Sequence, residues 1–208
     1  MSKHLRIWLF ALLGMLLAST TLLAQGVITM TASKAVGETV KLRIEANGNV
    51  TIEGVKELPQ LGKDKKNYTL TSQTITIHGD VTKLDCSDNQ LTSLDLPKST
   101  VLTELFCFEN KLTSLDVSKN IALTELYCSN NQLTSLNVSR CARLNTLYCD
   151  SNRINGKAMN KLENSLPNRR RKSSGAILLV DNSPEKRDKN RCSPADVTIS
   201  EKKNWSVL

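Results

Sequence analysis

Four segments of 21 residues follow one another without a gap from position 81, and they restrict the possible folds more than any other feature of the chain. They open VTKLDCSDNQL at 81, LTELFCFENKL at 102, LTELYCSNNQL at 123 and LNTLYCDSNRI at 144. Leucine recurs at Leu84, Leu105, Leu126 and Leu147, cysteine at Cys86, Cys107, Cys128 and Cys149, and asparagine at Asn89, Asn110, Asn131 and Asn152. Alternate residues of a strand face opposite ways, so each Leu and the Cys two positions on point together into a core. Stacked copies then bury continuous columns. Each asparagine falls where the chain leaves the strand, and its amide carries both a donor and an acceptor for turn backbone, which predicts a hydrogen-bonded asparagine ladder. The return limbs, LTSLDVSKN at 112 and LTSLNVSRC at 133, bury Leu115 with Val117 and Leu136 with Val138. They are too short and too rich in Thr, Ser and Asp for regular helix, so extended or irregular structure is expected there.

The pattern L-x-x-L-x-C-x-x-N-x-L resembles the leucine-rich repeat, in particular the cysteine-bearing variety of internalin-related bacterial surface proteins, and the match is close over residues 81 to 154. The resemblance implies an α/β-type leucine-rich repeat solenoid: a short right-handed superhelix with a parallel β-sheet on one face and mostly irregular return limbs. It implies adhesion or other protein binding. A β-rich N-terminal cap (25–80) and a mixed, basic C-terminal cap (156–208) would flank the repeats (81–155).

In the N-terminal cap, TVKLRIEANGNVTIEGV reads as two strands joined in a hairpin at Asn47 and Gly48, and TITIH at 74 to 78 reads as a strand running into the first repeat. C-terminally, residues 156 to 165 are helix-like and residues 176 to 180 strand-like; Pro194 can start a second helix leading to Trp205. The charge-rich loop over 167 to 174 is expected to be mobile.

Residues 1 to 24 have the order of an export signal, with Lys3, His4 and Arg6 ahead of the apolar run 7 to 18 and cleavage expected after Ala24. A retained membrane anchor is the alternative. The first cysteine is Cys86, so no cysteine follows the signal for lipid attachment. The mature chain is thus expected outside a bacterial cell, secreted or at its surface. The formal net charge is +8, and residues 156 to 208 hold twelve basic against six acidic side chains, centred on Arg169, Arg170, Arg171 and Lys172 and on Lys186, Arg187, Lys189 and Arg191. A solvated loop accounts for this, with an anionic glycan or membrane surface as the alternative partner. Export argues against nucleic acid.

Six cysteines in an exported chain suggest disulfides, yet in-register strands hold neighbouring Cβ atoms about 4.8 Å apart where a disulfide prefers about 3.8 Å. Buried free thiols are therefore expected in the column. Four sulfurs in a line also fail to surround one metal ion. Cys141 and Cys192 lie off the column and are left open as a pair.

With Leu and Cys inward, the residues between them face solvent: Asp85, Phe106, Tyr127 and Tyr148. The flanking columns are Lys83, Glu104, Glu125 and Thr146 on one side and Ser87, Phe108, Ser129 and Asp150 on the other. After signal removal the chain has five Phe or Tyr residues, and four of them occupy these positions. Aromatic residues favour strands and stabilise them by cross-strand contact, but an exposed aromatic stripe flanked by Glu104, Glu125 and Asp150 is also what anchors a partner. Four strands at about 4.8 Å, each about 17 Å long, outline roughly 300 Å², against about 800 Å² per partner in a stable protein interface. The expected ligand is a peptide or glycan segment, or a protein that also uses the caps; a second copy could supply area too. His78 is the only histidine after the signal, and no nucleophile and base, phosphate loop or metal-ligand spacing can be assembled. No enzyme activity and no cofactor are expected. The competing reading is a structural or self-assembling envelope protein, in which the stripe only stabilises the sheet.

Overall fold

The computed structural model describes residues 26–208 apart from 98, 171 and 181–187; the expected export signal, Arg171, Lys186 and Arg187 lie outside the described residues. Among the described residues, ten strands form one sheet: β1 (Val27–Ala32), β2 (Thr39–Glu53), β3 (Lys66–Thr69), β4 (Thr74–Asp85), β5 (Leu91–Asp95), β6 (Glu104–Phe106), β7 (Glu125–Tyr127), β8 (Thr146–Tyr148), β9 (Gly175–Leu178) and β10 (Trp205–Val207). Two short helices, α1 (Lys157–Ser165) and α2 (Pro194–Lys202), belong to the C-terminal part. The architecture is sheet-rich with few helices, and the part built from the repeats is parallel.

The repeat register is that of the sequence. Leu84 pairs with Leu105, Leu105 with Leu126, and Leu126 with Leu147, each through parallel strands. All four leucines and all four column cysteines are fully buried. The thiols are free, as are Cys141 and Cys192. Burial pushes the Cys86 thiol up to about 12 and holds the other three well above the ordinary thiol value, so the column is apolar filling and its sulfurs are poor nucleophiles.

The asparagine ladder forms through the backbone. Asn131 Oδ1 accepts from the Leu112 N–H at 3.0 Å, while its Nδ2 donates to the carbonyls of Cys107 at 2.9 Å, Cys128 at 3.1 Å and Ser129 at 3.2 Å. Asn110 and Asn152 repeat the arrangement one coil to either side. Each side chain thereby ties its own coil to the one before it. The residue preceding each asparagine adopts positive φ at Asp88, Glu109, Asn130 and Ser151, a left-handed conformation that costs about 1 kcal/mol or more outside glycine. The fixed bonds on the following side-chain amide hold the chain there.

The N-terminal cap departs from expectation at Asn47 and Gly48. No hairpin forms: β2 continues through both residues as one strand and pairs antiparallel with β4, with a shift in register between Asn47 and Thr51. Gly48 takes φ 87° within this bulge, and opposite it Gly79, at φ 136°, leaves no room for a Cβ, which would lie 2.8 Å from the Asn49 carbonyl oxygen. The Asn-Gly signal specifies positive φ but not a reversal, and the continuous partner strand β4 decides the outcome. β4 also crosses the expected cap boundary at 80, pairing with β1 and β2 and then entering the parallel sheet beside β6. The first return limb is a true strand, β5, because β1 lies beside it; the later limbs are irregular as expected.

The C-terminal segment extends the sheet. β9 stacks on β8 with Ile177 opposite Leu147, and β10 follows in parallel. The core columns continue: Leu179 is buried beyond Cys149, and Asn190 takes the ladder position after Asn152, accepting from Ile154 N–H at 2.7 Å and donating to the Cys149 and Leu179 carbonyls. Asn190 was not anticipated. α2 is capped at its N-terminus by Ser193 and Asp196, whose side chains form a reciprocal capping box. Part of the loop after α1, expected to be mobile and solvated, is held by Arg169. Arg169 is buried, donates to the carbonyls of Leu144 and Ser173, and stacks 5.8 Å from the Trp205 ring centre. Gly175 makes room for that ring, since a Cβ there would lie 2.8 Å from Trp205.

Candidate functional site

Short three-residue strands give the sheet face its pattern: the middle Leu points inward and the flanking residues stay half-exposed. Phe106, Tyr127 and Tyr148 line up in register across β6, β7 and β8. Phe106 and Tyr127 stack at 4.6 Å and 9°, and Tyr148 meets Tyr127 edge to face at 4.9 Å and 87°. Tyr68, the one Phe or Tyr after the expected signal that lies outside the sheet-face columns, is fully buried in the N-terminal cap.

The rest of the expected site divides into covered and open parts. Arg43 on β2 reaches past its register partner Asp85 to Glu104, at 3.7 Å, and lies 5.1 Å over the Phe106 ring. Lys83 meets the same Glu104 carboxylate at 2.8 Å. Lys65, from the loop before β3, pairs with Asp85 at 3.0 Å, donates to Ser87 Oγ at 2.6 Å and lies 5.9 Å over Phe108. The N-terminal cap thus covers Asp85, Glu104, Phe106 and Phe108 with two cations of its own. Sequence reading missed both, because only the long-range pairing of β2 with β4 brings them there.

The column expected to run exposed through Ser87, Phe108, Ser129 and Asp150 is a correction: Ser87, Ser129 and Asp150 are buried and only Phe108 is half-exposed. Those residues already curve into the turn, where the Ser129 hydroxyl donates to the Asp150 carboxylate and Ser151 Oγ adds a contact at 3.2 Å. Asp150 is a turn-forming residue. What stays open is Glu125, Tyr127 and Tyr148. Among the described residues no cation pairs with Glu125. Burial, and after it the Glu125 charge, raise the Tyr127 hydroxyl above its ordinary value, and a side-chain hydrogen bond from Tyr127 to Glu125 adds to the rise. No cluster of three or more His, Cys, Asp or Glu suited to a metal occurs among the described residues.

These features define a sheet-rich repeat protein whose parallel sheet presents one half-open face. No protein-family model matches the chain, and no curated protein matches it significantly. Among solved structures, the functional domain of InlJ from Listeria monocytogenes, described as including a cysteine ladder, matches at 32% identity with a TM-score of 0.39. The match covers 48% of this chain and 21% of the listerial one.

Proposed function

We propose that this chain is an exported leucine-rich repeat protein, a right-handed solenoid, that binds a protein, peptide or glycan through its sheet face and acts in adhesion or surface contact rather than catalysis. The observation that carries the reading is the placement of Phe106, Tyr127 and Tyr148 in a half-exposed row while buried positions beside them are filled by Leu and Cys. Tyrosine and phenylalanine contribute most to binding where they are fixed in advance, and cross-strand stacking fixes these rings. The same stacking favours a second reading, a structural or self-assembling envelope protein in which the rings serve only the sheet. With Arg169 buried, an anionic partner at the C-terminal loop is left with Arg170 and Lys172, both exposed, among the described residues.

Capture of envelope and host-surface components by the mature protein and by the Phe106→Ser, Tyr127→Ser, Tyr148→Ser triple variant separates these readings. The binding reading expects the variant to stay folded and lose its capture, at a stability cost of up to about 2 kcal/mol, since the two cross-strand aromatic pairs contribute about 0.2 to 1 kcal/mol each. Global unfolding favours the structural reading. Undiminished capture by the triple variant, with loss on neutralising Arg170 and Lys172, moves the site to the C-terminal loop.

A further inference from the structure

The two cations supplied by the N-terminal cap follow one rule. Arg43 lies over the Phe106 ring and against the Glu104 carboxylate; Lys65 lies over the Phe108 ring and against the Asp85 carboxylate. In each case a carboxylate and an aromatic ring on the sheet face hold one basic side chain. The repeat carries the first of these pairs one coil further without change of register, since Glu125 stands beside Glu104 and Tyr127 beside Phe106. Among the described residues, no cation fills that second pair. Lys83 lies two strands from Glu125, on the order of 10 Å, and is engaged by Glu104 at 2.8 Å. The following coil offers Thr146 next to Glu125 and the Tyr148 ring, turned 87° to Tyr127, beside the stack.

We infer that Glu125, Tyr127 and Tyr148 form the seat for one basic side chain, an arginine or lysine of an extended peptide segment of the partner. The chemistry is that of the pair the chain already fills with Arg43: a carboxylate accepts charge-assisted hydrogen bonds while the ring system attracts the cation. Arginine suits it better than lysine, because the planar guanidinium can address a carboxylate and lie against a ring together. An acidic segment is repelled at Glu125, and the N-terminal half of the face cannot take a second basic residue, because Arg43, Lys65 and Lys83 already satisfy Glu104 and Asp85. One basic position on an otherwise uncharged strand is therefore the preferred sequence. This inference rests on the sheet-face binding proposed above and specifies its partner.

The test uses three fluorescein-labelled peptides of nine residues with a Thr-rich, strand-forming sequence and Arg, Gln or Glu at the centre, titrated by fluorescence polarisation against the full mature chain. The Arg peptide is expected to bind at least tenfold more tightly than the Gln and Glu peptides, with an affinity that falls as salt is raised. Glu125→Gln should remove that tenfold preference with an unchanged thermal midpoint, while Glu109→Gln, an exposed acid outside the face, should leave it intact. Equal binding of the three peptides, no binding of the Arg peptide, or an Arg preference that survives Glu125→Gln each overturns the inference. If the aromatic triple variant loses its natural partner while Glu125→Gln changes nothing, the sheet-face reading stands and only the basic-side-chain assignment falls.

Discussion

Replacing Asn131 by alanine is expected to lower unfolding free energy by about 3–5 kcal/mol, because a buried donor left unsatisfied costs about 1–3 kcal/mol and each lost intramolecular bond about 0.5–1.5 kcal/mol. Asn131 is the sole acceptor shown for the Leu112 N–H, and its amide donates to three carbonyls spanning two coils. Some of those carbonyls keep another donor: Cys128 still accepts from Asn152 and Cys107 from Asn110. The Leu112 N–H does not, and it is enclosed where water is excluded. Asn137, in contrast, is exposed on a return limb and accepts only from the nearby Ser139 N–H, so Asn137→Ala should cost less than about 1 kcal/mol. Urea unfolding of both variants reads the difference directly. Equal losses would show that the ladder is not what joins the coils.

A second large effect is tied to pH. Glu163 on α1 is fully buried, and burial raises its carboxyl to about 7, with the nearby Asp196 charge adding to the rise and the Ser200 hydroxyl and Lys203 opposing it. The Cys192 thiol lies 4.0 Å from the same carboxyl. A carboxyl whose folded value is above its unfolded value binds a proton preferentially in the folded state. Its contribution is therefore fully present below about pH 4.5, is lost progressively as pH rises to about 7, and stays lost above that. Glu163→Gln should flatten that decline and make the protein more stable at pH 8 by up to about 3 kcal/mol, since each tenfold change in proton affinity is worth about 1.36 kcal/mol, while changing little at pH 4. Chemical unfolding of parent and variant at pH 4, 6 and 8 checks it. Parallel pH profiles would mean that Glu163 is ionised at no cost in the folded chain.

The parts legible in the sequence are those governed by the period. Leu84 through Leu147, the cysteine column and the asparagine ladder recur every 21 residues, so one strand assignment fixes all four. The continuation of the same columns was hidden, because the C-terminal segment fills them with Ile177, Leu179 and Asn190 after α1 and a long loop intervene. Asn190 follows Asn152 by 38 residues, a spacing that carries no repeat signal. At Asn47 and Gly48 a local turn preference is read correctly as positive φ at the glycine and wrongly as a hairpin, since the competing pairing with β4 is non-local. The aromatic row was legible from alternation alone. The closing of half the face by Arg43 and Lys65 was not, because it depends on where β2 and its following loop come to rest.

Side-chain oxidation footprinting, with and without a captured partner, tests the sheet-face account most directly. It predicts that Tyr127 and Tyr148 become several-fold less reactive in the complex, while Arg43-covered Phe106 changes less and buried Tyr68 stays unreactive throughout. Unaltered reactivity of Tyr127 and Tyr148 in a complex of proven stoichiometry would contradict it and place the partner elsewhere on the chain.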